Sequence, residues 1–306
     1  MRKLVAPAIG AIATVVLLTA PAADAKSKWA DVRVVASTGE TLADHRQYTD
    51  DVKVKASEEA ECFGESNPSS NDSYKLDDPT ALGALIDASK ADKDLKPLLV
   101  TDAFFGEFGS FGVCGIDTFV GSATFGEEYW YSATNGVGAT SGPNQIPVSN
   151  GDRHLWYFAT GSEAAISELV VKTPVRAATD EAFTVKVTRV NPDGSKEPAE
   201  GATVADTLTD ENGEAEITPE EPGEIPVRAV GGTDDVPSAI ANVCVADEIS
   251  DCPKKLGIRI SGSPGDDRIE GTKGPDTIDC GKGEDVVREA QNSDDIAGDC
   301  EKVKNN

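Results

Sequence analysis

Gly262-Ser-Pro-Gly-Asp-Asp-Arg-Ile-Glu270, Gly271-Thr-Lys-Gly-Pro-Asp-Thr-Ile-Asp279, Cys280-Gly-Lys-Gly-Glu-Asp-Val-Val-Arg288 and Glu289-Ala-Gln-Asn-Ser-Asp-Asp-Ile-Ala297 follow one another without a gap and repeat one nine-residue pattern. Position four is Gly265, Gly274 and Gly283, position six is Asp267, Asp276, Asp285 and Asp294, and position eight is Ile269, Ile278, Val287 and Ile296. Glycine permits a tight turn where φ is positive. The aspartate is a hard oxygen ligand, and the aliphatic residue fills the core of a short strand. The period predicts a short parallel β-roll-like coil in which each nonapeptide makes half a turn. Asp267 and Asp285 then face one edge, Asp276 and Asp294 the other. The pattern is worn, with Ser263 and Thr272 in place of a second glycine, Cys280 in place of a first, and no glycine in the fourth copy.

These stretches resemble the hemolysin-type (RTX-like) calcium-binding nonapeptide, Gly-Gly-x-Gly-x-Asp-x-(aliphatic)-x. The resemblance implies calcium as the cofactor and Asp267, Asp276, Asp285 and Asp294 as its ligands. A calcium ion takes about six to eight oxygens, so two stacked loops must contribute, and each edge of the coil offers one pair of carboxylates. A stapled Asp/Gly-rich coil without metal is the competing reading.

The first 25 residues read as a signal peptide. Arg2 and Lys3 precede an apolar run from Leu4 to Ala20, and Ala23-Asp-Ala25 is a small-x-small cleavage site. The run is short for a membrane span, so no membrane insertion is expected. The C-terminal Glu301–Asn306 stretch has no apolar tail, so a secreted, extracellular product is expected, released or held non-covalently at the envelope. A formal net charge of -26, from 54 acidic and 28 basic residues, argues against nucleic acid as a partner, because lysine and arginine supply that affinity. Solubility by self-repulsion accounts for much of the charge.

Six cysteines in an exported chain imply disulfides. They allow about 15 connectivities, but their placement groups Cys62 with Cys114, Cys244 with Cys252 and Cys280 with Cys300. Each pair then lies inside or beside one candidate domain.

The fold class expected is mainly β and multi-domain: an α+β domain over residues 27–162 with a small mixed sheet crossed by one helix (a β-grasp, by the resemblance given below), a β-sandwich over 166–246 and the stapled repeat region over 253–304. In the first, Asp31–Ser37 and Val52–Lys55 read as strands separated by a polar Asp44–Asp51 stretch, and 64–73 reads as a loop. Asp78-Pro79 is the expected start of a helix carrying Ala81, Leu82, Leu85 and Ile86 on one face. Strands follow at Pro97–Phe104, Phe111–Phe119, Glu128–Ala133 and Arg153–Ala159, with turns at Asn135-Gly136 and Asn150-Gly151. Tyr129-Trp-Tyr-Ser-Ala-Thr-Asn-Gly136 and Val148-Ser-Asn-Gly-Asp-Arg-His-Leu-Trp-Tyr-Phe158 resemble the transcobalamin-type C-terminal β-grasp domain of exported bacterial proteins. In the vitamin carriers that domain closes over cobalamin beside a large helical domain, which this sequence lacks.

From Ser167 to Val245 strands recur every 8–12 residues between turns such as Asn191-Pro-Asp-Gly194. Gly201-Ala-Thr-Val, Thr209-Asp-Glu-Asn-Gly213 and Pro222-Gly-Glu-Ile-Pro-Val-Arg-Ala229 resemble bacterial Ig-like or transthyretin-like surface modules, which usually act as spacers. Ala246–Gly257 is expected to link this module to the repeats.

Catalytic signatures are sparse. The two histidines, His45 and His154, lack metal-ligand spacing and read as surface or partly packed residues. Gly109-Ser110-Phe111-Gly112 falls short of a nucleophile elbow, and acid pairs such as Glu127-Glu128 carry little weight in so acidic a chain. The aromatic strands should bury half their rings. Tyr129, Tyr131 and Tyr157 are the ones expected outside, where they would stack on a flat ligand or sugar, rimmed by residues 135–142. The sequence therefore points to a monomeric, non-catalytic binding protein whose extracellular ligand is a glycan, a protein or a small molecule. An exported hydrolase or hydrolase accessory, and a scavenger of a corrinoid-like small molecule, are the alternatives.

Overall fold

The computed structural model describes residues 27–124, 126–161 and 166–305. The signal-peptide expectation for residues 1–25 and the boundary at Ser162 lie outside them. The chain is mainly β, with several sheets.

The principal sheet has eight strands. Its centre is β1 (Lys28–Val35) and β2 (Thr41–Thr49), paired antiparallel, with Asp152–Thr160 running parallel to β1 on its far side. Glu128–Thr134 and Val137–Gly138 complete that end. Alternation along β1 turns Ala30, Val32 and Val34 toward α1 (Ala81–Ala91), where Trp130, Trp156 and Phe158 join them in one core. The expected apolar face of α1 is buried, and so are Ala84 and Ala88, small residues that let the helix lie close to the sheet. The Thr80 hydroxyl accepts from Gly83 N at 3.1 Å, so the helix is capped by Thr80 and not by Asp78. A bridge from Thr80 to Pro147 holds the cap extended, which is the conformation an N-cap needs.

The second module packs two sheets face to face. One centres on Ser167–Lys172 and Phe183–Val190, and the other joins Arg176–Ala178, Ala241–Ala246 and Gly223–Val227. Leu169, Val185 and Val187 from the first meet Ala177, Val227, Val243 and Val245 from the second.

The repeats form a coil in which residues 18 apart stack in parallel, Ile260 on Ile278 on Ile296 and Ile269 on Val287. Each nonapeptide is therefore half a turn. Its first rung, Arg259–Ser261, lies just beyond Gly257, and the nine residues that it closes begin inside the stretch expected as a linker. Read from Pro253, that rung has Ile260 at position eight and only Ile258 at position six, so it lacks the aspartate that marks the others.

This extra rung pairs in parallel with β2, Arg46 beside Ile260 and Gln47 beside Ser261. The coil thus extends the principal sheet. Its core of Ile260, Ile269, Ile278 and Val287 closes against Tyr48, with Trp29 alongside. The Gln47 side-chain amide donates to Gly262 O at 2.9 Å, and Glu270 N donates to the Tyr48 hydroxyl at 3.0 Å. Disulfides join Cys62 to Cys114, Cys244 to Cys252 and Cys280 to Cys300, which is the expected grouping. Among the described residues no helix is long and apolar enough to cross a membrane.

Candidate functional site

The position-six aspartates point into the turns. Asp267, Asp276 and Asp285 are almost wholly buried. The carboxylates of Asp276, Asp285 and Asp294 staple successive rungs, because each accepts the main-chain N–H of the residue 18 earlier. Ile258 N donates to Asp276 Oδ1 at 2.9 Å, Asp276 N to Asp294 Oδ1 at 2.9 Å, and Asp267 N to Asp285 Oδ1 at 2.8 Å. Buried amides need such partners, and this need explains an aspartate at that position without reference to metal.

The two edges then differ. On one, Asp276 also accepts from Thr272 N and, at 2.7 Å, from the Thr272 hydroxyl, and Asp294 Oδ2 accepts from Gln291 N at 2.7 Å. All four oxygens of that pair are engaged. Lys254, Lys255 and Lys273 line a groove with Pro253, Pro275 and Ser293 beside the same turns.

On the other edge, Asp267 Oδ2 accepts from Ser263 N at 2.6 Å and from the Ser263 hydroxyl at 2.9 Å. Asp267 Oδ1 and Asp285 Oδ2 are buried with no donor in hydrogen-bonding geometry. Burial pushes the Asp267 carboxyl up to about 6, against the pull of the Ser263 amide and the Ser27 and Ser263 hydroxyls, and the Asp285 charge adds to the rise. Burial also raises Asp285, where Glu301, Asp266 and Asp299 reinforce the shift. The leading charge effects on this pair come from acidic groups. Asp50, just past β2, brings another carboxylate to the turn. Its Oδ2 lies 3.2 Å from where a Cβ on Gly265 would stand, and its Oδ1 is buried without a partner. Among the described residues, the one set of three metal-type side chains that closes on a common point is Cys280, Asp299 and Cys300, and both sulfurs are spent in a disulfide.

The first module holds a cavity of about 520 Å³ between the principal sheet and the sheet containing Ser110–Ile116. Phe63, Phe111, Trp130 and Trp156 supply its aromatic walls, and Ala139, Ser141 and Gly142 close one side. The expected stacking set is placed differently. Tyr157 is buried beneath the second module with Leu155, Ala159, Ile166 and Val236, because the face expected to be open to solvent is an interface between modules. Tyr129 and Tyr131 are half-buried around that cluster and also border the cavity. The rim expected over 135–142 is therefore present in its 139–142 part, around a mostly different aromatic set.

Both histidines are buried, contrary to the surface or partly packed placement expected from the sequence. They flank Val32 on β1, one from each neighbouring strand. No protein-family model, curated protein or solved structure matches the chain.

Proposed function

We propose that this chain is an exported, monomeric, non-catalytic binding protein of the cell exterior, in which a β-grasp-like module recognises the ligand, an Ig-like module spaces it, and the coil takes one calcium ion at Asp267 and Asp285. The observation that carries the calcium assignment is the pair of buried carboxylate oxygens without donors, in stacked turns and in acidic surroundings. A buried, unpaired carboxylate is costly unless a cation or a proton meets it. A hard divalent cation with a taste for oxygen meets two at once.

The Asp276 and Asp294 edge is assigned the staple alone, since backbone and threonine donors already engage its oxygens and lysines stand near it. With two carboxylates on the metal edge, turn carbonyls and water supply the remaining oxygens, and an affinity of about 10⁻⁴–10⁻³ M suits an extracellular module. Three disulfides and the apolar N-terminal run support export.

Calorimetric titration of the full chain with calcium tests the reading. One ion is expected per chain, with a stabilisation of about 2.7 kcal/mol when calcium stands at 100 times its Kd. Asp285→Asn keeps the acceptor for Asp267 N, so it should abolish the heat while leaving the calcium-free melting temperature at or above that of the natural chain. Asp276→Asn should lower that temperature and leave calcium binding in place. Absence of heat and of any thermal shift at several millimolar calcium would return the coil to a metal-free staple.

A further inference from the structure

We propose that the cavity of the first module binds a small uncharged ring compound, and that Ser132 and Trp156 together hold an acceptor oxygen on that ring. The inference deepens the assignment of recognition to the first module and rests on it. Its starting point is a pair of unused donors. Ser132 stands directly opposite Trp156 in the antiparallel ladder, and both line the cavity. The Trp156 indole N–H is buried without an acceptor. Trp130, by contrast, spends its indole N–H on Phe119 O at 3.1 Å. None of the hydrogen bonds among the described residues uses the hydroxyl of Ser132. Native structures rarely leave a buried donor unpaired, and here the buried Trp156 N–H has the half-buried Ser132 hydroxyl as its cross-strand neighbour on the wall of one cavity.

The remaining lining sets the class of ligand. Glu128 is the single charged residue among the described residues that border the space, and the chain as a whole carries a net charge of -26, so an anion is disfavoured. Phe63, Phe111 and Trp130 offer ring faces and edges against which a flat or chair-shaped ring packs. A volume of about 520 Å³ lies within the usual range of small-molecule sites, about 300–1,000 Å³. Glycine keeps the space open. A Cβ on Gly112 would stand 2.8 Å from the Phe63 ring, and one on Gly121 would stand 3.1 Å from Glu128 O.

The test uses the full chain and three probes of similar size in ligand-observed NMR titrations: coumarin, which carries a carbonyl acceptor, naphthalene, which carries none, and 2-naphthoate, which is anionic. Coumarin should bind about tenfold more tightly than naphthalene, the worth of one well-made hydrogen bond, and 2-naphthoate should bind more weakly than coumarin. Ser132→Ala and Trp156→Phe should each pull the coumarin-to-naphthalene ratio toward one, because each costs coumarin more affinity than naphthalene. Ser132→Leu should exclude all three probes and leave the melting temperature unchanged or higher, because it fills space. Equal affinity for coumarin and naphthalene, preference for the anion, an unchanged ratio in both donor variants, or no binding of any probe at millimolar concentration would overturn the proposal. The calcium titration is read at the coil, so failure of either proposal leaves the other standing.

Discussion

Single buried polar residues carry much of the information in this chain, and the two histidines show how. His154 Nδ1 meets the Thr134 hydroxyl at 2.9 Å and His45 Nε2 meets Gln47 Oε1 at 3.3 Å, while His154 Nε2 and His45 Nδ1 are buried without partners. Burial lowers both pKa values. For His45 the Arg259 charge adds to the drop, against the Gln47 hydrogen bond and the charges of Asp92 and Asp31, and for His154 the Asp152 charge opposes it. The neutral rings are therefore favoured in the folded state, whereas the unfolded chain binds protons as pH falls through about 6.5. Their contribution to stability is complete above that pH and is lost as pH falls through the lower folded values. Each unit of depression amounts to about 1.4 kcal/mol. Asp44, on the solvent side, and the buried Asp87 and Asp267 are shifted upward by desolvation, Asp267 to about 6, and act in the opposite sense as pH falls, so the comparison has to be between variants. Urea unfolding of the natural chain and of the double variant His45→Gln, His154→Gln between pH 7.5 and 5 should give a stability that declines on acidification in the first and much less in the second. Parallel curves would show that the histidines ionise freely in the fold.

At the scale of elements, what could be read from the sequence depended on how far apolar residues alone mark a strand. The coil was legible because Ile269, Ile278 and Val287 recur every nine residues and are buried. Strands of the second module were legible from their alternation, as along Phe183–Val190, where Val185 and Val187 are buried and Thr184 and Lys186 are exposed. β2 was not. Thr41-Leu-Ala-Asp-His-Arg-Gln-Tyr-Thr49 reads as polar, yet its inward positions are Ala43, His45, Gln47 and Thr49, where the Gln47 amide meets Gly262 O at 2.9 Å and the Thr49 hydroxyl meets Asp87 at 2.8 Å. Only the tertiary contacts make those residues a buried face, and missing β2 hid the docking of the coil, because β2 is the strand on which the coil builds. The glycines of the repeat also divide. Gly283 has φ +139° and a Cβ there would stand 2.5 Å from Gly265 O, whereas Gly274 matters through close stacking alone, its Cβ position lying 2.2 Å from Leu256 O. Gly298 has open space around it. Gly283→Ala should accordingly destabilise the coil by about 2 kcal/mol or more, and Gly298→Ala should stay within about 0.5 kcal/mol of the natural chain. Limited proteolysis between residues 254 and 305 measures both, and equal cleavage rates in the two variants would remove the stacking argument.

For the whole molecule, three modules share surfaces that a reading of separate domains does not contain. The coil covers the outer edge of β2 and takes Tyr48 into its core, and the second module covers Tyr157 and Leu155. Where the three meet there is a cleft of about 450 Å³ bordered by Asp31, Arg33, Arg153, Glu168, Ile240 and Arg259. Glu168, from the second module, stands between two arginines of the first, with Oε1 3.4 Å from Arg33 Nη1 and 2.7 Å from Arg153 Nη2. Arg33 also donates to Pro237 O, and Arg228 reaches back to Gly39 O and, at 3.1 Å, to the Thr41 hydroxyl. The side chains of Arg33 and Glu168 are only 7% and 8% exposed, whereas that of Arg153 is 48% exposed, so loss of one partner has different consequences at the two arginines. Burial already lowers the Arg33 pKa, and the Glu168 charge is the largest influence opposing it. Glu168→Gln leaves the Arg33 charge buried against a neutral amide. Removing one member of a buried pair costs about 3–5 kcal/mol, and Asp44, 4.0 Å from Arg33 Nε, offsets part of that, so about 2–3 kcal/mol is the expected loss. Arg153→Gln breaks a contact on the solvent side and should cost less than about 1 kcal/mol. Because Glu168 joins two modules, its loss should also uncouple them. Denaturant unfolding followed by tryptophan fluorescence, which reports the first module and its border with the coil, should then separate from unfolding followed by far-ultraviolet circular dichroism, which includes the second. If Glu168→Gln matches Arg153→Gln in stability and the two signals still coincide, the modules are held by their apolar contacts around Tyr157 and Val236, and the ion cluster is incidental to their union.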